Sequence, residues 1–249
     1  FSSDGKVIRI RNLGANDTGA KLIVTVSKSK VKSKKKLVNA AKSLVVDKST
    51  NPASGIGSTT INDGLDYGNY AFGTRVQDKL ISLNTPDIIE IHGVYECSDP
   101  TLGDASFGAP QMSLTQMNGV SGTTADVTLG ELFIGQSSGA SAVHGEFVNN
   151  STIRYLVKNN FGFVEGETVI FQETGVQGVV SNLTTTSFDL TTNYTFNAGQ
   201  KDTFFDFGAL RRKDGFDSPT NKIKIYFKSA SFDSTDDGDI VTVESYNDF

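Results

Sequence analysis

Tryptophan is absent from this chain of 249 residues, cysteine and long apolar runs are nearly so, and histidine occurs only twice. A lone Cys97 allows no internal disulfide framework. With His92 and His144 as the only imidazoles, a four-ligand zinc site would have to recruit carboxylates, so zinc hydrolysis is not expected. No apolar run approaches the roughly 18 residues that read as a membrane span. The opening "FSSDGKVIRI" has neither an initiator Met nor the apolar stretch of a signal peptide, as expected of a processed or excised piece. Five prolines and few strong helix formers stand beside 25 glycines and many Thr, Ser and Asn. That balance points to strands and turns, and all-β is the expected class.

The net charge of −5 argues against nucleic acid as the main partner. The charge is unevenly placed, however. "KSKVKSKKK" gathers Lys28, Lys30, Lys32, Lys34, Lys35 and Lys36, a basic arm on an acidic body. Such an arm can contact phosphate, lipid head groups or an acidic neighbouring subunit. It can equally be a solvated loop or a lysine-guarded edge strand, and the alternation from Lys28 to Lys34 favours the guarded edge.

"KVIRIRNL" and "AKLIVTVSKSKV" alternate around "GANDTG" and read as a hairpin. "LVNAAKSLVV" fits a short strand or a helix, and residues 47–64 read as a long loop or linker. In "DKLISLNTPDIIEIHGVYE", a regular alternation puts Ile89, Ile91 and Tyr95 on one face, leaving His92 exposed on the polar one. "GELFIGQSSGASAV" (130–143) overlays "GETVIFQETGVQGV" (166–179), matching Gly130 to Gly166, Glu131 to Glu167, Gln136 to Gln172, Gly139 to Gly175 and Val143 to Val179. Each unit reads as strand, Gly-centred turn, strand, turn, strand, and two units would close a small sandwich or barrel. His144 takes the slot of Val180, as a tolerated surface residue would.

Two chemical motifs fail on their context. Asp233 to Glu244 has the spacing of a calcium loop, but strand-like flanks replace the helices that motif needs, so a hairpin tip is expected. No Gly-x-Ser-x-Gly elbow is present, and Cys97 has no basic sequence neighbour. No catalytic residue, metal or cofactor is therefore assigned. In "FFDFGALRRKDGFDSPTNKIKIYF" (204–227), Arg211 to Lys213 read as a charged turn before a strand whose Ile223, Ile225 and Phe227 share one face. Arg211 and Arg212 could instead pair with acids of an adjoining subunit.

That run, with "DDGDIVTVESY", "YAFGTRVQDKLISLNTPDIIEIHGVYE" and the Gly-Gln-Ser-Ser-Gly-Ala unit, resembles segments of large virion structural proteins of contractile-tailed bacteriophages, particularly T4-like phages of marine cyanobacteria. The likeness covers roughly residues 67–249, and none of its motifs is a catalytic signature. It implies a β-rich module of a tail, baseplate or fibre component, located in the virion and held in a symmetric multimer with its own copies and other virion proteins. A carbohydrate-binding or receptor-adhesion module touching the host surface is the alternative, and a glycan depolymerase a third reading.

The expected fold is mainly β: an antiparallel β-sandwich with an inserted, duplicated small β-barrel or sandwich. The expected parts are an N-terminal hairpin arm and linker (1–66), a sandwich of 67–117 plus 199–249, and a module of two repeats at 118–198. The expected subunit interface uses the six lysines of the arm, Arg211, Arg212, Asp236 and Asp237, with the arm of one copy set against the acidic "STDDGD" of another.

Overall fold

The computed structural model describes residues 30–47, 73–201, 206–233 and 235–246, with positions 7, 9, 21 and 23. The expected hairpin before residue 30, the 48–64 part of the expected linker and Lys28 lie outside the described residues. The strands are β1 (Lys36–Val38), β2 (Lys42–Val46), β3 (Leu80–Pro86), β4 (Ile88–Cys97), β5 (Gln111–Thr115), β6 (Leu132–Gly135) and β7 (Ser141–Asn149). Then follow β8 (Thr152–Val157), β9 (Thr168–Phe171), β10 (Gln177–Thr184), β11 (Ser187–Asp189), β12 (Tyr194–Asn197), β13 (Phe207–Arg212) and β14 (Ile223–Phe232). The only helical pieces among the described residues are three 3-10 turns, at Thr124–Asp126, Thr191–Asn193 and Val243–Tyr246. The protein is mainly β, with antiparallel sheets and a closed six-stranded barrel.

One sheet runs β1-β14-β4-β11, with β2 beside β1 on the same edge of β14. A second sheet, β12-β13-β3, covers one of its faces. Ile223, Ile225 and Phe227 of β14 pack there with Ile81 and Leu83 of β3, Leu210 of β13, Tyr194 of β12 and Val46 of β2. Each such apolar side chain contributes about 1.5–3 kcal/mol on burial. β3 bulges opposite Gly208, where Leu83 to Thr85 face that single residue, and a Cβ on Gly208 would lie 2.6 Å from Ile88 Cδ1. The missing side chain is what lets the layers approach.

The described strands correct two expectations, the separate arm and the regular alternation of β4. β1 and β2 are not a separate arm, because both hydrogen-bond to β14. The two flanks share both layers, β4 pairing with β14 in one sheet and β3 with β13 in the facing one. Strand β4 is bulged twice against β14, with Ile89 and His92 as the unpaired residues. Each bulge flips the alternation. So Ile88 and Val94 join the sandwich core, Ile89 is exposed, and Tyr95 faces the barrel.

The barrel closes in the order β10-β5-β8-β7-β6-β9. Its interior holds Phe133, Phe163 and Phe171, whose ring centroids lie 4.9–5.3 Å from that of Phe133, with Tyr155, Met112, Leu114 and Ile153 around them. The repeat governs its symmetry. Ile134 pairs with its repeat mate Ile170, and on either side Phe133 pairs with Phe171 and Gly135 with Val169, so a shift of one repeat maps the pairing onto itself. The turns match too: Gly130 and Gly166 have φ of 86° and 87°, and Gly139 and Gly175 have 66° and 71°. Glycine alone enters that region without strain. The expected limits 118–198 do not coincide with the barrel strands, which run from Gln111 to Thr184. The third strand of the second unit is supplied by β5, which precedes the repeat, while β11 leaves to pair with β4.

Candidate functional site

The strongest polar constellation in the barrel is an exchange of carboxylates between the two repeats. Glu131 follows the turn glycine Gly130 and reaches into the second unit, where its Oε1 accepts from the N–H groups of Glu173 (2.8 Å) and Thr174 (2.6 Å) and from the Thr174 hydroxyl (3.0 Å). Its Oε2 accepts from Thr128 N–H at 3.0 Å. Glu167 returns the contact: it accepts from Ser137 and Ser138 N–H (3.2 and 3.1 Å), from the Ser138 hydroxyl, and from Val164 N–H at 2.7 Å. Burial pushes both carboxyls up, but the backbone donors outweigh it and hold both below the usual glutamate value. Two buried carboxylates in related positions would suit an acid–base pair. These two are saturated as acceptors and tie each Gly-centred turn to the opposite repeat.

A second constellation lies where the barrel meets the large sheet. β14 is buried on both faces, and its Lys224 and Tyr226 point away from the sandwich toward β7 and β8. Tyr226 donates to Glu146 Oε2 at 2.7 Å, and Lys224 Nζ lies 3.3 Å from both oxygens of the same carboxylate. Arg154 of β8, wholly buried, sets Nε 3.4 Å from Glu146 and donates to the carbonyls of Ala109 (2.9 Å) and Ala105 (3.1 Å). Burial lowers the Lys224 ammonium and raises the Tyr226 phenol. Glu146 is thus within ion-pair distance of both buried cations.

Further ion pairs flank it, Lys222 with Asp104 at 2.8 Å and Lys158 with Glu90 at 2.6 Å. Beside Glu90 sits His92, with a side chain only 1% exposed, Nδ1 3.7 Å from the carboxylate and Nε2 unpartnered. Burial holds it at about 4. His144 is likewise buried, its Nδ1 3.0 Å from the Thr128 carbonyl oxygen, and burial lowers it as well. Neither histidine side chain is at the surface, contrary to expectation: His92 is buried at the bulge of β4, and His144 occupies a core slot as Val180 does.

The basic arm and the acidic loop lie together within one chain. Ser33 forms a parallel bridge with Ile240, Lys34 N–H donates to Ile240 O at 2.7 Å, and Asp239 N–H to Lys32 O at 2.9 Å. Lys32 Nζ lies 3.1 Å from Asp237, and Lys35 N–H donates to Asp236. Lys36 is buried against Asp87. Lys30 and Lys35 are exposed and Lys34 half-buried, 5.4 Å over the Phe232 ring. The charge complementarity expected between copies is thus met inside the chain, and the 233–244 segment is a loop zipped to residues 32–35 rather than a hairpin tip. Its carboxylates accept from this chain's own donors; Asp233, for example, closes a turn on Thr235.

Arg211 and Arg212 end strand β13 rather than forming a turn, which follows at Asp214 and Gly215. Arg211 is exposed, whereas Arg212 donates to the carbonyls of Val76 (3.3 Å), Gln77 (3.4 Å) and Asp78 (3.4 Å). Sequence reasoning missed Glu146, Arg154, Lys224 and Tyr226. One signal was available, an arginine inside the apolar strand "TIRYLV". Among the described residues no group of three or more His, Cys, Asp or Glu could hold a metal ion, and no helix is long and apolar enough to cross a membrane. Comparison with protein-family models, curated proteins and solved structures finds no match to this chain.

Proposed function

We propose that this chain is a structural component of a bacteriophage tail or baseplate, acting through contacts with its own copies and other virion proteins and without catalysis. The observation that carries the reading is the use of its buried ionisable groups. Glu131, Glu167, Glu146, Arg154 and Lys224 each join two separate elements, and each has its hydrogen-bonding or charge partners inside the chain. A catalyst holds such groups open toward a substrate. A structural module closes them on each other. The likeness of the 204–227 run and of the repeat to tail structural proteins supplies the setting.

The remaining chemistry is at the surface. Phe161, Phe188 and Phe207 are more than half exposed, and β11 and β12 are outer strands of their sheets among the described residues. Apolar side chains and free strand edges of this kind are what partner subunits cover. Sedimentation of the purified full chain together with an assay for reducing ends on bacterial polysaccharides tests both halves of the reading. Concentration-dependent association without glycan turnover is expected, and turnover would refute the absence of catalysis.

A further inference from the structure

Lys36 and Asp87 stand apart from every other lysine–carboxylate contact between described residues. Both side chains are buried, 3% and 10% exposed, whereas in each of the other pairs one partner is 27% exposed or more. The Lys36 side chain leaves β1 opposite Phe232 and passes 4.8 Å from the Phe232 ring centroid and 4.7 Å from that of Tyr246. Its Nζ ends against Asp87 Oδ2, in the turn between β3 and β4 on the far side of β14. That turn is fixed by Ala230 N–H, which donates to the Asp87 carbonyl at 2.9 Å. The Tyr246 hydroxyl touches both reactants: it accepts from Lys36 Nζ at 2.7 Å and faces Asp87 Oδ1 at 3.3 Å.

We propose that Lys36 and Asp87 condense to an intramolecular isopeptide bond, with Tyr246 as the proton relay. Two buried ions are costly to keep charged, and passing one proton from the ammonium to the carboxylate gives a neutral amine beside a neutral acid. Tyr246 can carry that proton, taking it from Nζ while giving its own to Oδ1. The Nζ lone pair then adds to Cγ, and the carbonyl electron pair moves to oxygen. A second proton follows the same hydroxyl from nitrogen to Oδ1, the Cγ–Oδ1 bond breaks, and water leaves. The ammonium gives up two hydrogens and the carboxylate one oxygen. The charges cancel, and no oxidant, metal or other reactant is consumed. Fixed geometry and exclusion of water favour a condensation that dilute amines and acids do not undergo in water. The bond would bolt edge strand β1 across β14 to the β3–β4 turn, whether or not the tail assignment holds.

Intact mass spectrometry of the purified full chain tests this directly. A mass one water below that of the sequence is expected, with a branched tryptic peptide joining the Lys36 and Asp87 segments. Full sequence mass, or a water loss mapped to an Asp-Gly pair such as Asp214–Gly215, would overturn the proposal. Lys36→Arg and Asp87→Ala should keep full mass. Asp87→Asn should lose ammonia instead and reach the same branched peptide. Tyr246→Phe should slow the reaction about 100-fold, and crosslinking at the wild-type rate in that variant would overturn the relay.

Discussion

Glu131 and Glu167 show at the scale of single residues how a repeat uses identical side chains. Each accepts backbone hydrogen bonds from the other unit's turn, and such bonds to a charged group are worth about 1.5–3 kcal/mol net. Glu131→Gln and Glu167→Gln should each lower unfolding free energy by about 1–3 kcal/mol in urea titrations, because the amide turns a donor toward N–H groups. Both folded-state values lie below the ordinary 4.5. The stabilisation is therefore complete above that pH and is lost as pH falls through the lower folded values; the Gln variants should lack that part of the acid transition. His92 works in a higher window. With about 4 in the folded chain against 6.5 ordinarily, the unfolded chain binds more protons between those values, so stability falls as pH drops from about 6.5 to about 4. Glu90, Lys158 and Lys228 are the charged groups facing it. His92→Leu should flatten the pH dependence of thermal unfolding in that window, leaving the contribution of His144, whose pKa burial also lowers.

Much of the fold is legible element by element. The alternation of Ile223, Ile225 and Phe227 gives a true core face, and the overlay of residues 130–143 on 166–179 gives a true local symmetry, down to the positive φ of both turn glycines. The failures also have physical causes. Regular alternation in β4 misplaces Ile89, Tyr95 and His92, because two bulges depend on the partner strand and leave no mark in composition. The sequence period puts the third strand of the second repeat after β10; β5 fills that place from before the repeat, and only long-range pairing decides so. The candidate site was less legible still. Lysines and aspartates some 200 residues apart in sequence meet in one zipper, and nothing in a charge pattern separates pairing within a chain from pairing between copies. Within the barrel, Phe133 touches the rings of Phe163, Phe171 and Tyr155. Phe133→Ala should destabilise the chain by about 3–5 kcal/mol, read as a lower urea midpoint, and a loss under 1 kcal/mol would show that the ring cluster collapses to fill the space.

Across the whole molecule the junction between barrel and sheet is decisive, since it makes one body of two layered units. Glu146 neutralises Arg154 and Lys224 there, and Glu146→Ala would leave two buried cations without their carboxylate. Removing one member of a fully buried pair costs about 3–5 kcal/mol, and the loss here should be smaller because the Glu146 side chain is 27% exposed. Hydrogen exchange should accordingly rise first in β8 and β14, while the Glu131 and Glu167 turns stay protected. The proposed structural role in a tail rests on this closure of buried charges inside the chain. Reconstruction of the phage particle by electron microscopy, with this fold placed in the density, is the direct measurement. Copies repeated about the tail axis, with strand edges or exposed phenylalanines against neighbouring subunits, are the expected result. Particles whose tail density accommodates no copy of the barrel and sandwich would contradict it.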